Sequence, residues 1–180
     1  SRCQRIRLLP LSETVLLEIL TPEARKNGVS DSDLARSIRT ARGNLHRART
    51  ALNPEYWDRR KQLLRFLSTP WSELEALLSL STRESADVDL LLDHLENLAH
   101  EFAQWACSPE ALENNLTSLD REIRPYITDT VRKGGVPAAR DFWLERAERA
   151  FQGRFDSTLP LNRKLLVQEI LLPWAAGPRA

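Results

Sequence analysis

A chain of 180 residues, 42% hydrophobic and 28% charged, is long enough for one substantial core or two small ones, and none of its apolar runs approaches the ~20 residues of a membrane span. Its two cysteines, Cys3 and Cys107, are far apart and in no metal-ligand spacing; with no signal-like leader, this excludes a disulfide framework and a zinc site and points to a reducing cytoplasm. The net charge of +1 hides a split: 14 Lys+Arg stand against 7 Asp+Glu up to Arg65 and 12 against 18 after it, so the first third suits an acidic partner, phosphate or nucleic-acid backbone, unless the two signs are merely two solvated faces.

The opening Ser1-Arg2-Cys3-Gln4-Arg5-Ile6-Arg7-Leu8 alternates apolar and basic residues as a short extended segment does, until Pro10 stops it. Ser12 then caps a helix over Glu13–Lys26, with Val15, Leu16, Ile19 and Leu20 at helical spacing and Asn27-Gly28 as its stop; Pro22 either kinks it or begins a second helix. Ser30 to Asp33 open the next helix, with Leu34, Ala35, Ile38 and Ala41 inward and Arg36 and Arg39 outward, until Gly43 breaks it. Asn44 caps a third helix carrying Leu45, Ala48 and Leu52, and Asn53-Pro54 ends a unit too small to bury much by itself.

Longer helices follow. One carries Tyr56, Trp57, Leu63, Leu64 and Leu67 and ends at Ser68-Thr69-Pro70; the next carries Trp71, Leu74, Leu77 and Leu78. From Ser85 to Cys107 a helical wheel puts Val88, Leu91, Leu92, Leu95, Leu98, Ala99, Phe102 and Ala106 on one arc, leaving Asp89, Asp93, Glu96 and His100 beside it. Ser108-Pro109 starts a helix with Leu112, Leu116, Leu119, Ile123 and Ile127, which Pro125 can bend; Gly134-Gly135 and Pro137 separate it from a helix over Ala138–Phe151, and a last helix runs from Leu161 to Trp174. No strand pattern rivals these, so the expected class is all-α apart from the N-terminal stub.

Three strings carry a resemblance. Ser1-Arg2-Cys3-Gln4, a basic-apolar run, Pro10 and then Leu11-Ser12 resemble the Ser-Arg-Cys motif that closes the ATPase core of AAA+ clamp-loader subunits and leads into their lid. Ala41-Arg42-Gly43-Asn44-Leu45-His46-Arg47-Ala48, about forty residues on, is similar to their sensor-2 string between the second and third lid helices. Asn162-Arg163-Lys164-Leu165-Leu166-Val167-Gln168-Glu169-Ile170-Leu171-Leu172 resembles the closing helix of the collar in the delta-prime class. The resemblance implies an end of the ATPase core over 1–11, a three-helix lid over 12–53 and an oligomerising collar over 54–180. Such a chain is a fragment of a loader subunit of the DNA polymerase III holoenzyme, found in the cytoplasm.

From the same resemblance come the site residues. Arg2 is implied as an arginine finger reaching a neighbour's ATP, the kind of fixed cation that suits a transferring phosphoryl group. Gly43, Asn44 and Arg47 are implied near nucleotide, and a helix N-terminus beside an arginine suits an anion on physical grounds as well. Asn162, Leu165, Leu166, Glu169 and Leu172 are implied in the ring contact. The partners are the tau/gamma and delta subunits and, through the assembly, the sliding clamp and primer-template DNA. No cofactor is expected in the chain itself, and without a G-x-x-x-x-G-K-[ST] string no ATPase activity. The tau/gamma class is the alternative, ranked second because its sensor-2 arginine stands one place earlier, where this chain has His46. More distant is a helical ribonuclease of the HEPN type built on Arg39 and His46, with Gly43 against it as an interruption of the helix. His94 and His100, with Asp93 and Glu96, read as a solvated flank and not a metal site.

Overall fold

Capping side chains set where several helices begin. Ser12 Oγ accepts from Val15 N at 3.3 Å, Ser30 Oγ from Asp33 N at 3.2 Å, Asn44 Oδ1 from Arg47 N at 3.1 Å and Asn162 Oδ1 from Leu165 N at 3.2 Å. Each bond satisfies an amide that has no partner within its own first turn. The structure is a computed structural model that describes residues 9–81, 84–108, 118–159 and 162–176. The helices are α1 (Glu13–Lys26), α2 (Asp31–Ala41), α3 (Leu45–Thr50), α4 (Pro54–Ser68), α5 (Pro70–Ser81), α6 (Ser85–Cys107), α7 (Ser118–Asp156) and α8 (Arg163–Ala175), and there is no strand among the described residues. None of these helices is long and apolar enough to cross a membrane.

Positive φ angles mark the stops. Gly28 (φ 68°) follows α1, Arg42 (φ 49°) and Gly43 (φ 82°) separate α2 from α3, and Gly135 (φ 74°, ψ 171°) breaks α7 into segments 118–134 and 136–156. Pro22 neither ends α1 nor starts a new helix. It is exposed, and Thr21 Oγ1 donates to Leu17 O at 2.6 Å just ahead of it, an extra bond where the proline removes one. Ser108 closes α6 as its C-cap, while the rest of the expected Ser108-Pro109 start, with Leu112 and Leu116, lies outside the described residues, as does the stub with Arg2 and Cys3.

Two compact units divide the chain, Ser1–Asp58 and Arg59–Ala180. In the first, Leu16, Leu20 and Ala24 of α1 meet Leu34, Ile38 and Ala41 of α2 and Ala48 of α3. Val15 and Ile19 face outward instead, because the inward row of α1 runs at four-residue intervals through Leu16. On α2 the inward row takes Ser37 and leaves Ala35 exposed. Ser37 Oγ and Trp57 Nε1 both donate to Ala51 O, at 2.7 and 2.8 Å, and the Arg36 guanidinium lies 3.8 Å over the Trp57 ring. A buried hydroxyl and indole N–H are thereby satisfied on one carbonyl.

In the second unit α6 packs along α7 and also meets α5 and α8. All eight residues of its apolar arc, Val88 to Ala106, are buried. Phe102, Trp143 and Trp174 form an aromatic centre, with Trp143 4.7 Å from Phe102 and 5.6 Å from Trp174 between ring centroids. Gly153 admits α8: a Cβ there would lie 2.6 Å from Ile170 Cδ1.

Candidate functional site

The sensor-2-like string turns out to be a tight junction. Gly43 adopts a left-handed conformation, and a Cβ on it would meet Pro10 Cβ at 2.5 Å and the Leu11 backbone at 2.8–2.9 Å. Leu11 N donates to Gly43 O at 3.0 Å, so the space in front of the glycine is filled by the segment entering α1. Asn44 lends its side chain to Arg47 N, and Asn44 N donates to Ala41 O at 3.0 Å. Thus Gly43, Asn44 and Arg47 are brought together by local backbone needs. Arg39 and His46 fall on different helices, α2 and α3, with the left-handed pair Arg42-Gly43 between them. Gly43→Ala is expected to destabilise the first unit by more than ~2 kcal/mol, the left-handed penalty plus displacement of Leu11. Amide exchange in α1–α3 would read this as faster exchange than in the parent; unchanged protection would refute the close packing.

The acidic flank of α6 is not a solvated face. His94 is fully buried, Glu96 and Asn97 are buried, and the carboxylates meet arginines from α4 and α7. Arg59 pairs with Asp87 at 2.9 Å, Arg60 with Glu101 at 2.5 Å, and Arg154 with Asp93 at 3.3 Å and with Glu96. Ser157 Oγ donates to Asp89 at 2.9 Å and Asn97 Nδ2 to Asp93 at 3.0 Å. The spacing of the acids on one helix was legible, whereas their cations come from elements up to 61 residues away. His94 is held neutral: burial first, then Arg60, then Arg59 lower its pKa to about 3. Among the described residues no group of three His, Cys, Asp or Glu is placed to hold a metal.

On α8 the expected contact residues separate. Asn162 is the cap; Leu165 is 63% exposed; Leu172 lies on the same outer side; Glu169 pairs with Arg149 of α7. Leu166 is a correction, because it is buried in the core with Val167, Ile170, Leu171 and Trp174. It follows Leu165 by about 100° around the helix, enough to turn it inward. Beside this outer side, α5, α7 and α8 enclose an open groove of about 1230 Å³ whose lining includes Trp71, Phe142, Leu172 and Pro173. Trp71 is 69% exposed although it shares the apolar arc of Leu74, Leu77 and Leu78, so nothing in the α5 pattern separates it from the core. No family model matches the chain, and no match to it is found among curated proteins or solved structures.

Proposed function

We propose that this chain is the lid and collar of an AAA+ clamp-loader subunit of the delta-prime class, a module that holds partners in a ring. In this reading Arg2 is lent to a neighbouring subunit's ATP and the chain hydrolyses none itself. The reading is carried by the order of the three strings: Ser1-Arg2-Cys3 and Gly43-Asn44-Leu45-His46-Arg47 flank two helices, the second string caps and opens α3, and the Asn162 string forms a capped helix in a larger helical unit. Gly43 supports it physically, since a junction glycine at that place lets the segment after the first string lie against α2 and α3. The outer side of α8, with Leu165 and Leu172 exposed on a helix whose inner side is already packed, supplies the ring contact.

Mixing the chain with tau/gamma and delta subunits is expected to give a joint species in sizing. Leu165→Asp should weaken it by about tenfold or more while leaving the circular dichroism unchanged. Leu166 is unsuitable for this purpose, because a charge there disrupts the core. Independent elution at every concentration tried would overturn the proposal.

A further inference from the structure

We infer that the groove between α7 and α8, bordered by Trp71 of α5, is the docking site for a basic amphipathic helix of a partner protein. Its volume, about 1230 Å³, exceeds the ~300–1,000 Å³ of small-molecule sites, and it is open to solvent. Trp71, Leu172 and Pro173 offer it apolar surface, Trp71 and Leu172 being 69% and 36% exposed. The walls are helices and the described residues contain no sheet edge, so an added strand has nothing to pair with and a helix laid in the groove is the fitting mode.

Charge selects among helices. The groove's cations are already committed to neighbours within the unit. Arg146 donates to Phe142 O and to Pro173 O, both at 3.0 Å, and covers the Phe142 ring at 3.3 Å; Arg149 pairs with Asp156 and Glu169. Glu145 and Glu148, three residues apart on the α7 rim, are exposed and have no cation partner among the described residues. The uncompensated sign is therefore negative, so the occupant presents lysines or arginines along the flanks of an apolar stripe at i, i+4 and i+7.

This goes beyond ring assembly, rests on a groove that shares Leu172 but not Leu165 with the proposed ring contact, and is tested through residues the two do not share. Two labelled synthetic helical peptides, each roughly five turns long with the same leucine stripe, carry either lysines or glutamates at the flanking positions. Titrated with the full chain, the lysine peptide is expected to bind in the micromolar range, to perturb tryptophan fluorescence and to weaken as salt is raised. The glutamate peptide should bind about tenfold more weakly or less, and Trp71→Ala and the Glu145→Lys/Glu148→Lys pair should each cost about tenfold with the lysine peptide. Leu165→Asp, outside the groove, should leave peptide binding unchanged, so a failure of ring assembly and a failure of the groove are read separately. Equal binding of the two peptides, no binding below millimolar, or full affinity in both groove variants would overturn the inference. So would a self-association, seen in sedimentation, that Trp71→Ala abolishes, since the groove would then belong to a second copy.

Discussion

Arg60→Ala is expected to destabilise the second unit by about 3–5 kcal/mol, because it strands a mostly buried carboxylate. Arg60 is 2% exposed and Glu101 13%, and both terminal guanidinium nitrogens donate to the carboxylate, at 2.5 and 3.3 Å. A fork of this kind aligns two charge-assisted bonds, and removing the cation leaves the acid with little water to replace it. The companion Arg60→Leu/Glu101→Leu removes both charges and keeps apolar volume, so it should lose clearly less than the single variant. Urea unfolding followed by far-UV circular dichroism measures both. If Arg60→Ala lost under about 1 kcal/mol, or the double variant lost more than the single, the pair would not be the buried bond described.

That pair also shows where reading the chain in order runs out. Helix starts are local chemistry, an oxygen meeting an amide three residues on, and Ser12, Ser30 and Asn44 could be read directly. The apolar arc of α6 was equally plain, since period alone decides it. Its acidic flank was not, because a carboxylate beside an apolar arc looks the same whether it faces water or an arginine from another helix. Arg59, Arg60 and Arg154 reach Asp87, Glu101, Asp93 and Glu96 only once α4 and α7 are packed, and nothing local encodes that. Leu166 failed for a smaller reason: α8 is apolar on two sides, so the identity of a residue does not say which side is covered. The glycines divide in the same way. Gly28 is a stop that any helix end calls for, whereas Gly43 and Gly153 are set by what approaches them, Pro10 with Leu11 in one case and Ile170 in the other. For the candidate site, then, the sequence marks the residues at the α2–α3 junction and on α8, while the groove beside α8 exists only through packing.

Acid should weaken the fold through His94 before general carboxylate protonation sets in. Burial is the main cause of its lowered pKa, with Arg60 and then Arg59 adding to it, and the folded value of about 3 lies well below the unfolded 6.5. The folded state therefore binds fewer protons than the unfolded one. This contribution is fully present above pH 6.5 and is lost as pH falls from there toward 3. Between pH 7 and pH 5 the loss comes to about 2 kcal/mol, in a range where carboxylates with ordinary values remain largely ionised. The charged groups beside the imidazole include Arg59, Arg60 and Asp87, with Arg59 bonded to Asp87 and Arg60 to Glu101. His94→Gln should flatten the stability profile over that range whatever it does to stability at neutral pH, so the readout is a slope and not a height. Arg60→Ala removes one of the two cations opposing protonation, so His94 should then accept a proton at higher pH and the acid-induced loss should be smaller. A slope unchanged by His94→Gln would assign the acid sensitivity to other groups and leave the buried imidazole without a part in it.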